Sequence, residues 1–435
     1  MLRTLTVFED RYSQHDLTDK QRKELLSLES LWGRQNLVLS ADGRLLLRKY
    51  VGFIATPSLQ IQILPKIYDD VALTGDTEDE KQRAVGMLFR LLVSSGYLSV
   101  KDVPDPQVIA SMNGDLLEIF IYLFIKRFLE LYHKQIHRQY EEMEDNVTMI
   151  KGRILFQQQL LRNGAFKHKH YVQYQEFTDN NLLNQIFKAT MLSLRTLARN
   201  EDNKKKLNTA ITLLEDISTI RLTETLFRQV RFSRLNEAYR PVFQLAKLFY
   251  YNRQPGMHQG DERTFTFLVP LNQLFEYLLY QWLQEGLSSE GLRVTYQKPQ
   301  YFLDDGSKTF LLKPDIVIRD EASSNIRMIV DAKYKNPISD SEVRLSESDV
   351  YQLLAYAVRY QCNQLCLVYP KFRGNQSKDN PLASYRITNG SEIIRIYAIH
   401  VDIASDNLDL AKDELLKTLC ATLSKTGIEP KRETI

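Results

Sequence analysis

Asp315, Asp331 and Lys333 are the residues of this chain whose types and spacing best suit chemistry. The first lies in Lys313-Pro314-Asp315-Ile316-Val317-Ile318, the other two in Val330-Asp331-Ala332-Lys333-Tyr334-Lys335. Both runs are apolar and β-branched, the pattern of neighbouring strands. Buried strand ends rarely carry Asp or Lys unless those charges have partners. On a strand Asp331 and Lys333 project from the same face. With Asp315 on the adjacent strand they form a carboxylate pair with an ammonium beside it. That set suits a divalent metal and a phosphate. Phosphodiester hydrolysis needs an activated water, neutralised phosphoryl oxygens and a stabilised leaving oxygen. Mg²⁺ on Asp315 and Asp331, with the Ala332 backbone carbonyl as a third protein ligand, meets the first and last needs. Lys333 can orient the water or offset transition-state charge. Pro314 cannot donate to a ladder and marks an edge or bulge just before Asp315.

Two helices are expected to support this set. After the strands, Gln352 and Tyr356 share one helix face, while Leu353, Leu354, Ala357 and Val358 pack. Gln352 can bond a water at the metal or a backbone phosphate; a plain polar helix side is the alternative. Glu276 sits within the apolar Leu274-Phe275-Glu276-Tyr277-Leu278-Leu279. A buried carboxylate is costly alone, so it approaches the metal site or its lysine, or forms a structural ion pair.

The whole chain has 435 residues, 43% hydrophobic and 26% charged, enough for about three domains at roughly 150 residues each. A net charge of +3 makes no bulk polyelectrolyte, so any DNA contact relies on local patches. Cys362, Cys366 and Cys420 form no paired framework, as expected in a reducing cytoplasm, and a zinc site on the first two is disfavoured. The Leu116 to Ile125 run is too short for a membrane span of about 20 residues and is broken by Glu118. No secretory leader is apparent after Met1. The expected location is the cytoplasm, away from membranes.

Pattern and turn signals give an α+β, multidomain fold in three parts. Residues 1–80 read as a β-rich module: a strand at Arg3 to Phe8, a helix at Lys20 to Trp32, a hairpin about Asp42-Gly43, and a strand at Gln60 to Leu64. Residues 81–255 read as mostly helical, with Asn113 or Asp115 capping a helix that ends near Tyr140, and helices at Asn181 to Arg199, Asp202 to Ile217 and Leu235 to Tyr251. His133 and His137 share a helix face as a surface pair, and Tyr122, Phe124, Phe128 and Tyr132 are spaced as core. Arg162 to His170 is a basic loop, solvated or touching a DNA backbone. Residues 256–435 read as an α/β domain with a mixed central sheet. Its helix is Leu271 to Leu287, with strands at Leu292 to Leu303, Thr309 to Ile318 and Ile326 to Tyr334. A helix at Asp349 to Tyr360 follows Ser348, and further strands lie at Leu365 to Tyr369 and Ile393 to Ile403.

The order helix-glutamate, Pro-Asp, Asp-x-Lys and Gln-x-x-x-Tyr resembles the PD-(D/E)xK nuclease superfamily, towards its RecB-like branch. From about residue 40 to 370 the chain also resembles the McrC family, the nuclease subunits of the McrBC modification-dependent restriction systems. The matching segments are Val51-Gly52-Phe53-Ile54, Leu59 to Ile67, Tyr140, Lys151-Gly152-Arg153-Ile154, Tyr174 to Asn180 with Asn184, and Asn236 to Pro241. The resemblance implies an Mg²⁺-dependent, type II-like endodeoxyribonuclease acting on double-stranded, 5-methylcytosine-type DNA. It also implies a partner, an McrB-like AAA+ GTPase hexamer, whose GTP hydrolysis the N-terminal module stimulates. The chain has no Gly-x-x-x-x-Gly-Lys-Ser/Thr loop, so GTP belongs to the partner and no nucleotide cofactor site is expected here. Arg48, Lys49 and Lys66 are candidates for that contact, with solvated charge the plainer role. Two alternatives stand: a RecB-like repair nuclease or resolvase acting alone, and a non-catalytic GTPase-activating adaptor.

Overall fold

The computed structural model describes residues 4–13, 16–27, 34–56, 58–66, 78–96, 98, 103–164, 168–254, 264–304, 306–339, 342–372, 379–389 and 392–424. Both helices and sheets are present, and the chain falls into two compact units: residues 1–116 with 255–435, and residues 117–254. Residues 1–80 therefore do not stand apart as the sequence pattern suggested. Their sheet runs Thr4–Phe8 parallel to Gln60–Leu64, which pairs antiparallel with Tyr50–Ala55. Tyr50–Ala55 pairs in turn with Thr264–Pro270, from the far end of the chain. That pairing requires a glycine at 52, where φ is +134° and a Cβ would lie 2.0 Å from the Phe267 carbonyl oxygen. The helix Leu271–Leu287 leaves this sheet directly, its first N–H bonded to the Lys49 carbonyl at 2.8 Å.

The larger sheet of the same unit has the strand order Leu292–Tyr296, Ile316–Asp320, Ile326–Ala332, Gln364–Pro370, Glu392–Val401 and Ala383–Asn389. Ile316–Asp320 is antiparallel to both its neighbours; Ile326–Ala332, Gln364–Pro370 and Glu392–Val401 run parallel; the last edge is antiparallel again. A parallel neighbour demands a crossover, and the helix Glu347–Tyr360 supplies it. Gln364–Pro370 is buried at every position, which explains its unbroken apolar run. One face of the sheet packs Val317, Ile329, Leu365, Leu367 and Ile396 against Leu353, Tyr356 and Tyr360 of the crossover helix. The helices Leu271–Leu287 and Leu408–Ser424 also pack on this sheet and on each other.

The strands are shorter than the sequence suggested, for local reasons. Leu292 to Leu303 divides into Leu292–Tyr296 and Tyr301–Asp304, with Gln297 at φ +40° in the break. Thr309 to Ile318 divides at Lys313-Pro314-Asp315, where proline has no N–H for the ladder. The Leu312 and Lys313 carbonyls are met by the Tyr360 and Tyr356 hydroxyls, each at 3.1 Å. Ser346, not Ser348, caps the crossover helix, accepting the Asp349 N–H at 3.3 Å.

The second unit contains the helix ending at Lys134, helices Phe156–Asn163, Leu182–Leu197, Glu201–Leu213, Glu224–Gln229 and Arg240–Tyr251, and a three-stranded sheet. That sheet, Gln139–Val147 and Arg153–Ile154 flanking His170–Thr178, stands where helix and loop were expected. The expected helix to Tyr140 stops earlier because Gln139 onward pairs with His170–Thr178 instead. His133 and His137 consequently share no helix, and His137 is buried. Phe124 and Phe128 are core, as expected, packing edge-on against Phe187. Tyr122 and Tyr132 are only partly buried. Part of the basic loop, residues 165–167, lies outside the described residues, as do 28–32 of the first expected helix.

Candidate active site

Asp315 and Asp331 reach one cavity because their strands are in register. Ile316 pairs with Val330, so the next residues of each strand are the two aspartates. Alternation places Asp315 with Val317 and Asp331 with Ile329, on the face covered by the crossover helix. The Ala332 N–H donates to Asp315 Oδ2 at 2.9 Å, fixing that carboxylate against the neighbouring strand. Lys333 lies just past the strand end, its own N–H bonded to the Val368 carbonyl. Its ammonium sits 2.6 Å from Asp331 Oδ2 and 3.7 Å from Asp349 Oδ1, and donates to Gln352 Oε1 at 2.9 Å. Gln352 in turn donates to the Tyr356 hydroxyl at 2.8 Å. Tyr356 thus anchors both the glutamine and the strand break before Asp315.

The cavity measures about 300 Å³ and is lined by Asp315, Asp331, Ala332, Lys333, Gln352 and Glu276, among others. Every sequence candidate except Tyr356 lines it; Tyr356 stands behind Gln352. Glu276 makes no ion pair among the described residues; its Oε2 accepts from Gln297 Nε2 at 2.6 Å.

The electrostatics follow from burial of like charge. Asp331 is 1% exposed. Burial pushes the Asp315 carboxyl up to about 8, and Asp331 and Glu276 add to the rise. Burial also raises Asp331, against the pull of Lys333, and raises Glu276 despite its bond to Gln297. Burial disfavours the Lys333 ammonium, but Asp331, Asp349 and Asp315 outweigh it and keep the group charged. Two carboxylates and a fixed cation thus share a pocket that a further cation would complete. Among the described residues no cluster of three or more His, Cys, Asp or Glu is arranged to hold a metal. The acids on the cavity wall are Asp315, Asp331, Glu276 and Glu9. Cys362 and Cys366 are both buried and free.

Several lining or neighbouring residues escaped the sequence reading. Asp349 is buried between Lys333 and Lys335, the latter at 2.5 Å. The alternation Asp331, Lys333, Lys335 carried a signal for the second lysine; the first residues of a helix gave none for its acid. Gln297 ties the site together through its N–H to the Asp315 carbonyl at 2.8 Å and its amide to Glu276. Glu9, Lys49 and Asn272 also line the cavity, Glu9 and Lys49 from the N-terminal strands.

The chain as a whole has relatives among restriction-system proteins. Residues 45–370 match the family model described as McrBC 5-methylcytosine restriction system component, and the chain belongs to that family. It is 25% identical over 279 residues to the type IV methyl-directed restriction enzyme EcoKMcrBC of Escherichia coli (strain K12), covering 62% of this chain and 78% of that protein. In structure it resembles a chain from the half-complex of Thermococcus gammatolerans McrB AAA+ hexamers with bound McrC. The TM-score is 0.73 at 22% identity, covering 96% of this chain and 100% of that one. A chain of the T. gammatolerans McrBC complex solved by cryo-EM matches at TM-score 0.51 and 25% identity, over 66% of this chain and 88% of that one. Among the described residues no helix is long and apolar enough to cross a membrane.

Proposed function

We propose that this chain is the DNA-cleaving subunit of a GTP-dependent, modification-dependent restriction complex, with a PD-(D/E)xK-type endonuclease domain in residues 256–435. The observation that carries the reading is the convergence of Asp315, Asp331 and Lys333 on one cavity from two adjacent strands. A metal ion fits this donor set: Mg²⁺ commonly takes one or two carboxylates and leaves its other positions to water and phosphate. Asp315, Asp331 and the Ala332 carbonyl would hold it, with Glu276 as a further candidate. Bound there, Mg²⁺ supplies Lewis-acid charge neutralisation and makes water a better nucleophile.

The chain's own groups do the rest. Asp331 and Gln352 fix the Lys333 ammonium from two sides, so it meets a phosphoryl oxygen without reorganising. Gln352 is itself held by Tyr356, which keeps its carbonyl oxygen on the lysine. The Asp315 carboxylate keeps its position through the Ala332 N–H.

The partner is an AAA+ GTPase of the McrB kind, which brings nucleotide, translocation and recognition of 5-methylcytosine-type sites. The family membership and the assemblies of the similar structures support this. We assign partner contact to the N-terminal module, residues 1–80. We also assign it to the second unit, where Tyr140, Met149, Phe156, Leu160, Leu161 and Phe177 are exposed apolar side chains. A cytoplasmic location follows from this role.

The test is cleavage of methylated and unmethylated plasmid with Mg²⁺ and GTP, by this chain with and without its GTPase. Cutting of methylated plasmid only when both proteins are present is the expected result. Cutting by the lone chain without nucleotide would instead indicate a RecB-like nuclease. Stimulated GTP hydrolysis with no cutting would indicate an adaptor.

A further inference from the structure

Lys49 lies far from the acidic pair in sequence yet lines the same cavity. Its backbone is unusual: φ is +66°, in the left-handed region that a branched or long side chain rarely adopts. Such a residue persists only where its surroundings hold it. Two contacts do so. The Lys49 N–H donates to Glu9 Oε1 at 3.3 Å, and its carbonyl accepts the Leu271 N–H at 2.8 Å. Glu9 is itself only 4% exposed, and its Oε2 has no hydrogen-bond partner among the described residues. A buried carboxylate is an expensive way to hold one amide. What the arrangement achieves is to bend the chain so that an exposed lysine stands on the wall of the acidic cavity. Among the described residues Lys49 makes no ion pair, so its charge is uncommitted.

We propose that Lys49 binds a DNA backbone phosphate at the mouth of the Asp315–Asp331 cavity, and that Glu9 is the positioning residue that holds it there. The N-terminal strands thereby contribute a substrate contact to the nuclease site, beyond any role in engaging the GTPase. The inference rests on the nuclease reading above. A phosphate contact adds affinity and salt dependence and carries no sequence information. Its loss must therefore appear in DNA saturation rather than in the maximal rate.

The experiment uses the complex with its GTPase on methylated plasmid, with Mg²⁺ and GTP. Lys49→Met is expected to raise the half-saturating DNA concentration about 3- to 10-fold, keep the maximal rate within about 2-fold, and lower the log–log salt slope by about one. Lys49→Arg restores both. Lys49→Gly relaxes the left-handed backbone, so it folds with an unchanged or higher thermal midpoint and still shows the DNA defect. Glu9→Gln keeps an acceptor for the Lys49 N–H and stays near wild type, whereas Glu9→Ala behaves like Lys49→Met. Wild-type half-saturation and salt slope in Lys49→Met, with Asp331→Ala inactive, would overturn this inference and leave the nuclease reading standing. Loss of GTPase stimulation with unchanged DNA saturation would overturn it too, moving Lys49 to the partner interface. Cutting by Asp331→Ala at the wild-type rate would instead overturn the nuclease reading itself.

Discussion

Both units of this protein bury polar side chains, but to opposite ends. In the second unit, Asn184 Nδ2 donates to the His137 and Asp179 carbonyls at 2.9 and 2.7 Å, and Asn181 Nδ2 to the His137 carbonyl at 3.0 Å. Glu118 Oε2 accepts from Asn203 at 2.7 Å, and Lys188 donates to the Glu215 and Ile217 carbonyls. Apart from the Glu118–Asn203 pair, these groups are spent on irregular backbone that lacks a ladder. In the first unit, Asp315 and Asp331 lie beside one another, with Lys333 shared between Asp331 and Asp349 and Lys335 on Asp349 alone. Their charge exceeds what the fold neutralises. Burial alone therefore does not mark a functional polar group. What distinguishes the first unit is a local surplus of one sign that opens on a cavity.

The largest way to test this contrast is to remove a surplus charge. Asp331→Ala is expected to lower plasmid cleavage by roughly 10³-fold or more, with GTPase stimulation retained. The assay is the two-protein cleavage reaction with GTP hydrolysis followed in parallel. If the site were structural, like the asparagines of the second unit, the variant would lose stability and keep its specific activity.

The second test uses pH. Burial raises the Asp315 carboxyl to about 8 in the folded chain, above its ordinary 3.8. A raised folded value means that protonation favours the folded state. This contribution is present in full below about pH 4 and is lost as pH rises towards 8. In metal-free buffer Asp315→Asn should therefore melt above wild type at pH 8, with the gap closing towards pH 4. Mg²⁺ should raise the wild-type Tm at pH 8 and leave the variant nearly unmoved. Parallel thermal melts across that window check both statements.

Smaller effects complete the series. Asn184→Ala removes one of two donors from each of the His137 and Asp179 carbonyls, which keep Asn181, and is expected to cost about 1–2 kcal/mol by urea unfolding, with cleavage per folded molecule unchanged. Tyr356→Phe removes the hydroxyl shared by Gln352 and the Lys313 carbonyl, and should slow cleavage about 3- to 10-fold with little change in DNA saturation. A variant with only raised half-saturation would place Gln352 on the DNA instead of on Lys333.

How much of this was legible beforehand depended on the range of the interaction. Helix Leu271–Leu287 and the strand Gln364–Pro370 follow from local pattern and lie close to where that pattern put them. Asp315 and Asp331 were legible because charges interrupt apolar strands. The strand Gln139–Val147 was not, because Glu141, Glu142, Glu144 and Asp145 deny it an apolar alternation; its pairing with His170–Thr178 decides it. Ser346 and Ser348 are equivalent caps by composition, and the helix starts at Glu347 with Ser346 as its cap. Glu9 and Lys49 were invisible as site residues, since only the pairing of Tyr50–Ala55 with Thr264–Pro270 carries them to the cavity. Motif residues such as Asn184 and Asn236 carried family information, yet they bond backbone in the second unit: Asn236 Nδ2 donates to the Arg231 carbonyl at 3.0 Å.

The most direct test is anomalous diffraction from crystals of the chain soaked in Mn²⁺ as a stand-in for Mg²⁺. One ion coordinated by both Asp315 and Asp331, absent from crystals of Asp331→Ala, is the expected result. Mn²⁺ bound elsewhere with those two carboxylates untouched, or an unchanged peak in the variant, would contradict the assignment.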